Sequence, residues 1–298
     1  MEIRPARDDD AELVTAILRE VDDARVLSAA GWLHERRTAS PHEQRLQVVA
    51  VDGDGVVGIG GSARETWTTA TDKGWCSVAV TASHRGQGIG GALLERALEH
   101  LDEIGVTRAT SFSRFSEEGE RWANARGWSR VLTGPLIAVD PRGVPEPSIP
   151  TGIRIGSMRD APLEAVYDAV LEAARDEPRP EPIDKIPYDE FVTEWDQPDV
   201  DLDASTAAYD GDRVVAFTEL KVLGDRGQHG FTGTRRDYRG RGLATVVKCV
   251  ALRAAAARGV TRVTTSNAEE NAAMRAVNRK LGFTQIGEHV IFARELAG

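Results

Sequence analysis

Arg85-Gly86-Gln87-Gly88-Ile89-Gly90-Gly91 follows an apolar run at 75–80 and leads straight into a helical pattern. Arg239-Gly240-Arg241-Gly242-Leu243-Ala244-Thr245 does the same after residues 230–234. A strand that turns through glycines into a helix aims free backbone amides, and the positive end of the helix dipole, at one spot. Glycine lets the backbone approach an anion with no Cβ in the way. Well-placed arginines add charge-assisted bonds worth roughly 1.5–3 kcal/mol each. The pattern suits a diphosphate. A Walker loop needs Gly-Lys-Ser/Thr, which neither copy has. Gly86, Gly88 and Gly91 satisfy dinucleotide spacing, but Thr245 breaks it in the second copy, and 107–112 carries no acidic residue for a ribose. The remaining rival is a glycine turn with no ligand, and the duplication weakens it.

Working outward, other landmarks recur in the same order. Glu2-Ile3-Arg4 is echoed by Gly152-Ile153-Arg154, and Arg126-Gly127-Trp128 by Leu281-Gly282-Phe283. With the two loops, this makes three pairs spaced roughly 150 to 155 residues apart, the signature of an internal repeat. Between the copies, Pro141, Pro145, Pro147 and Pro150 fix φ and remove donors, so a stiff linker is expected with the boundary near 145. The expected domains are 1–144 and 151–298. In the first, a helical pattern at 9–21 precedes strands at 47–51, 56–63 and 75–80, with the turn Asp52-Gly53-Asp54-Gly55 between the first two. A helix at 90–104, a strand at 106–112 and a helix at 117–126 follow. The second predicts a helix at 160–174, strands at 206–209, 214–222 and 230–234, a helix at 243–258, a strand at 260–266, a helix at 269–281 and a strand at 285–292. The expected fold class is α/β (α+β mixed sheet), each domain a twisted mixed β-sheet flanked by helices.

The 298 residues carry a net charge of −10, the wrong sign for a dedicated nucleic-acid binder. Cys76 and Cys249 are far apart and without metal-ligand spacing, so neither a disulfide framework nor a metal is indicated. The start of the chain lacks an apolar signal core, and no run approaches the roughly 20 apolar residues of a membrane span. A soluble cytoplasmic protein, monomer or homodimer, is expected.

Both halves resemble the GNAT superfamily of acetyl-CoA-dependent N-acetyltransferases. Its first motif, a strand ending V-x-V or similar and then Q/R-x-x-G-x-G/A, is matched by Val78-x-Val80 with Arg85–Gly90. The second copy has Thr232-x-Thr234 with Arg239–Ala244. Its second motif, an Asn leading into a helix that ends Gly-Phe, is matched by Asn271 through Gly282-Phe283 and is degenerate in the first half. The two-domain layout is similar to the mycothiol synthase type of tandem GNAT protein. The resemblance implies that amides at Val80 and Thr234 bind the pantetheine arm. It also implies that the loops Arg85–Gly91 and Arg239–Thr245 hold the pyrophosphate of acetyl-CoA, and that Asn271 contacts the cofactor near its reactive end.

An amine acceptor with pKa ~10.4 is neutral in only about one molecule in a few thousand at pH 7, so a base must take its proton. Glu219, on the strand at 214–222, and His229, just before the cofactor strand, are the candidates; Glu65 is the weaker option in the first half. The tyrosine by which the family often protonates the departing thiolate falls at Asn278, and at Ala123 in the first copy. Asn278 is the remaining polar candidate there, with helix packing as its plain alternative. Residues 171–204 hold twelve acidic side chains against Arg175, Arg179 and Lys185. Such a wall would attract a cationic amine; a solvated loop is the plain alternative. The expected activity is acetyl transfer to a primary amine of a small cationic acceptor, by direct attack in the C-terminal domain. The alternative is a CoA-binding regulatory or structural protein without turnover.

Overall fold

The computed structural model describes residues 1–53 and 55–296. Asp54, in the predicted turn at 52–55, lies outside the described residues. In chain order the first elements are β1 (Glu2–Pro5), α1 (Ala11–Val21), α2 (Ala29–Arg37), β2 (Leu46–Asp52), β3 (Gly55–Arg64) and β4 (Lys73–Val80). They are followed by α3 (Ile89–Glu103), β5 (Arg108–Arg114), α4 (Glu117–Asn124) and β6 (Ser129–Val139). The second series is β7 (Ile153–Ser157), α5 (Leu163–Ala174), α6 (Tyr188–Trp195), β8 (Thr206–Asp210), β9 (Arg213–Leu223) and β10 (Arg226–Thr234). It ends with α7 (Leu243–Ala257), β11 (Arg262–Ser266), α8 (Ala272–Lys280) and β12 (Thr284–Glu295).

The chain forms two compact units, but they do not follow a linear cut near 145. Unit 1 comprises Met1–Thr133 with His289–Gly298, and unit 2 Gly134–Glu288. The last strand of each half is exchanged. In unit 1 the strand order is β1-β2-β3-β4-β5-β12, with β12 antiparallel to β5 from His289↔Arg114 to Glu295↔Arg108. In unit 2 it is β6-β11-β10-β9-β8-β7, with β6 antiparallel to β11 from Leu136↔Ser266 to Val139↔Val263. Side-chain packing accounts for the exchange. Val290 and Phe292 bury themselves with Leu94, Ala97, Leu101 and Trp128 of unit 1. Ile137 and Val139 pack against Leu252, Leu281 and Phe283 of unit 2. A strand buries its apolar face wherever a complementary helix layer offers it, and the hydrophobic driving force is indifferent to chain order.

Two helices are absent from the sequence expectation. α2 has a weak apolar pattern and gains definition from Ser28, whose hydroxyl caps Gly31 N. α6 lies within the acidic stretch 171–204 and buries Phe191 and Trp195. The strand β6 is a further addition to the expected elements.

Within each unit the sheet opens in the same place. β4 pairs in parallel with β5 only from Lys73↔Arg108 to Trp75↔Thr110. β10 pairs with β11 only from Arg226↔Arg262 to Gln228↔Thr264. Beyond Trp75 and Gln228 each strand continues to Val80 or Thr234 with one edge released from the ladder. Backbone amides on a released edge need partners, and an extended ligand can supply them.

Gly233 sits on this stretch of β10. A Cβ there would lie 2.6 Å from both Ala173 Cβ and the Phe217 ring. Overpacking of this kind costs about 1–3 kcal/mol, so Gly233→Ala is expected to lower the urea midpoint with an unchanged m-value, read by circular dichroism.

Candidate functional site

The two loops are built alike. Gly86 and Gly88 have φ of +74° and +83°, and Gly240 and Gly242 of +77° and +78°, a left-handed backbone that favours glycine. Gly88 and Gly242 are the N-caps of α3 and α7, and neither helix has a side-chain cap. Ile89 and Leu243, the first helical residues, are buried and anchor the loop to the core. Arg85 and Arg239 each turn Nε back to the carbonyl at the strand end, Val80 O and Thr234 O, at 3.2 Å in both. Gln87 Nε2 donates to Ser83 O, and a guanidinium nitrogen of Arg241 to Asp237 O. The loops are thus braced from behind, with exposed glycines in front. Uncapped helix amides, positive-φ glycines and flanking guanidiniums fit a diphosphate, and the released strand edge beyond them fits an extended arm.

The copies differ in what competes for the arginines. Asp176 accepts from both Arg236 and Arg239, which together hold its carboxyl far below the usual carboxylate range. No carboxylate is recorded against Arg85 among the described residues. Asp176→Asn is expected to tighten CoA binding at the second loop about two- to fivefold, since an exposed pair is worth up to about 1 kcal/mol. Calorimetry at low salt reads this, and raising the salt should shrink the gain.

Five further residues expected at the cofactor are held by the fold as follows. Gly90 lies under Trp122 of α4, and Gly91 beside Arg126 just after that helix. A Gly90 side chain would start 3.5 Å from the Trp122 ring, and Arg126 stacks on Trp122 at 4.2 Å. The landmark spacing puts Val277 at the Trp122 position in unit 2. Asn271, expected at the cofactor, is the N-cap of α8 and accepts from Met274 N at 3.1 Å. Ala244 and Thr245 open α7 and are half-buried.

The candidate base stands at an irregularity. β9 and β10 are antiparallel, and their register shifts between His229 and Thr232. Glu219 is 6% exposed and fills the bulge: a Cβ on Gly230 would lie 2.7–2.9 Å from its carboxylate. Burial pushes its carboxyl above the usual range, opposed by Lys221 and by a hydrogen bond from the Phe231 amide. Lys221 Nζ is 3.9 Å from Oε1, and Oε1 has no hydrogen-bond partner among the described residues. A buried carboxylate with an open lone pair is suited to take a proton.

His229 does not form a dyad with Glu219. Its Nδ1 lies 3.2 Å from Thr218 Oγ1, so it shares a face with Thr218, and Glu219, next along β9, points the other way. Burial first, and the charge of Lys248 second, hold its imidazole well below the usual range, so it is neutral. Its Nδ1 also lies 3.3 Å from Glu219 O. Thr232, from the first motif, shares a 2.7 Å hydrogen bond with Thr218. Asn278 is buried and donates to Asn267 Oδ1 at 2.6 Å, while its own Oδ1 is unpartnered among the described residues, as is Thr234 Oγ1.

Unit 1 lacks these groups. β3 and β4 pair without a register shift from Gly58↔Val80 to Arg64↔Gly74. Gly60↔Val78 corresponds to Thr218↔Thr232, so the counterpart of Glu219 is Gly61, not Glu65. Glu65 follows β3, where its Oε1 accepts from Trp67 N. The acidic stretch is also less available than its composition implies. Glu172 accepts from Arg235 and Arg236, Asp203 pairs with Arg159, and Asp201 with Arg258.

Residues 43–125 match the Acetyltransferase (GNAT) domain and residues 166–283 the Acetyltransferase (GNAT) family, together about two thirds of the chain. The chain belongs to the GNAT acetyltransferases and carries two such domains in tandem. It is 25% identical over 295 residues to a mycothiol acetyltransferase of Corynebacterium glutamicum, covering 95% of this chain and 94% of the relative. It is 29% identical over 227 residues to one of Saccharomonospora viridis, with 72% of each covered. The tandem GNAT protein from the clavulanic acid biosynthesis pathway shares the fold, with TM-score 0.75, 22% identity and 100% and 99% coverage. A GCN5-related N-acetyltransferase from Sphaerobacter thermophilus does so with TM-score 0.72, 20% identity and 99% and 95% coverage. No helix among the described residues is long and apolar enough to cross a membrane.

Proposed function

We propose that unit 2 transfers an acetyl group from acetyl-CoA to the primary amine of a small cationic acceptor, with Glu219 as the base. The observation that carries this reading is the buried Glu219 carboxylate in the β10 bulge, which has no counterpart in unit 1. The cofactor supplies an activated acetyl thioester. The loop Arg239–Thr245 holds its diphosphate, and the released edge of β10 toward Thr234 holds its arm. Glu219 Oε1 takes the proton that the acceptor nitrogen loses. Burial raises the carboxyl, which brings its basicity closer to working pH. The same burial keeps water from competing with the amine.

The loop Arg85–Gly91 holds a second cofactor molecule without a base beside it, so unit 1 binds and does not turn over. The experiment is incubation of the chain with radiolabelled acetyl-CoA and a panel of polyamines, amino sugars and the acceptor of the mycothiol acetyltransferases. Transfer to an amine supports the reading. Tight acetyl-CoA binding with no transfer to any of them, and no thioester hydrolysis, favours a CoA-binding regulatory protein instead.

A further inference from the structure

α7 turns Leu243, Val246, Val247, Cys249, Ala251, Leu252 and Ala255 into the core of unit 2, and with them one charged residue, Lys248. A lysine on a helix usually carries its ammonium to water along its own stem. Lys248 does not: it is 1% exposed. Its Nζ lies 5.4 Å from the centroid of the Phe283 ring, and no hydrogen bond or carboxylate partner for it is recorded among the described residues. Burial alone pushes its pKa down to about 7. Buried cations are nearly always paired, so the site is short of a negative charge.

Its neighbours show where that charge would arise. His229 is the first residue of β10 past the last pair with β11, at the apex of the opening between the strands. Its ring lies 6.4 Å from that of Phe283, and it feels the charge of Lys248. Lys248, Phe283 and His229 therefore gather at the apex. The diphosphate loop lies beyond the other end, after five more residues of strand, about 17 Å by strand rise. The groups facing Lys248 are Phe283 from the turn after α8 and His229 from β10, which is neutral and on the face shared with Thr218. Glu219 points to the opposite face, and Cys249, next on α7, donates to Pro145 O. The residue at the position of the usual phenol, Asn278, has no acidic proton to give.

We propose that Lys248 is the acid of this site: its Nζ gives a proton to the sulfur that departs during acetyl transfer. The proposal rests on unit 2 being the transferring unit. As the acceptor's N–C bond forms and the thioester C–S bond breaks, the bond pair stays on sulfur and sulfur takes the Nζ proton. Glu219 takes the proton of the amine, and exchange with solvent restores both groups. An ammonium that titrates near neutral pH is matched to a thiol of pKa about 8.5.

The test reads the sulfur directly. Free CoA is bound to the whole chain and its thiolate followed by ultraviolet absorbance against pH, with desulfo-CoA as the blank; calorimetry confirms binding. In the wild-type protein the bound thiol is expected to ionise at least about one pH unit below that of free CoA, because an opposite charge stands beside it. Lys248→Met should abolish the shift and lower kcat about 100-fold. Lys248→Arg should keep the shift, since it keeps the charge, yet lose turnover, since its proton is not released near neutral pH. A bound thiol that ionises like free CoA in the wild-type protein overturns the proposal even if the Met variant does not fold. An equal shift in wild type and Lys248→Met overturns it as well. Absence of CoA binding to unit 2 overturns the cofactor reading itself, and the proposal with it.

Discussion

Glu219→Gln is expected to lower kcat for acetyl transfer about 10²–10⁴-fold, with acetyl-CoA affinity held within about threefold. The amide is nearly isosteric, so it keeps the filling of the β10 bulge and leaves the loop at Arg239–Thr245 untouched. It cannot accept the proton of an ammonium acceptor. Steady-state rates and calorimetry on the same preparations separate the two effects. A variant with near-normal kcat removes Glu219 from the chemistry. One that loses affinity and kcat together would show that Glu219 shapes the fold of the site instead.

The pH dependence follows from the direction of the Glu219 shift. Its carboxyl is raised above the usual range by burial. The base works only when ionised, so kcat should rise with pH along a limb above the ordinary carboxylate pKa, and that limb should vanish in Glu219→Gln. Stability runs the other way. An acid whose folded pKa exceeds its unfolded value contributes stability that is fully present below the unfolded pKa and lost as pH rises through the folded pKa. Glu219→Gln should therefore be more resistant to urea than the wild type at neutral pH, and not at pH 4. Loss of activity beside a gain in stability is the pattern of a functional group held at a cost to the fold.

Much of the fold is legible in the chain itself, and the reasons differ by residue. The loops announce themselves because positive φ demands glycine, and Gly86, Gly88, Gly240 and Gly242 all meet that demand. α3 and α7 follow from apolar spacing. The strand exchange leaves no local mark: Ile137, Val139, Val290 and Phe292 look alike whichever helix layer covers them. α6 is hidden because its carboxylates dominate composition, while Phe191 and Trp195 carry the packing. Glu219 and His229 stand out as polar residues on apolar strands, but their opposite faces cannot be foreseen. The bulge between His229 and Thr232 shifts the alternation by which faces are counted. Lys248 belongs to no motif, although its signal is present: a single lysine within the run Leu243–Ala257, between Val247 and Cys249 and on the helix face of Ala244, Ala251 and Leu252.

Gly242→Val should abolish measurable acetyl-CoA binding at unit 2 and turnover with it, whereas Gly88→Val should leave turnover intact. A Cβ on Gly242 would meet nothing within 4 Å, so no protein atom forbids it. The obstacles are the backbone and the ligand. At φ of +78° a non-glycine residue costs roughly 1–2 kcal/mol, and a β-branched one more. The ligand's loss is greater. The open space in front of Gly242 is where a diphosphate must come up to the α7 amides, and isopropyl bulk holds it away. Losing two charge-assisted bonds of roughly 1.5–3 kcal/mol each weakens binding about 10²–10⁴-fold. The Gly88 variant carries the same backbone cost at the same kind of loop, so it controls for strain while acting on a unit with Gly61 where a base would stand. Binding stoichiometry by calorimetry and turnover by radiolabel distinguish the two variants. If Gly242→Val binds acetyl-CoA as tightly as wild type, the second loop is not a diphosphate site. If Gly88→Val instead is the one that stops transfer, the assignment of chemistry to unit 2 fails.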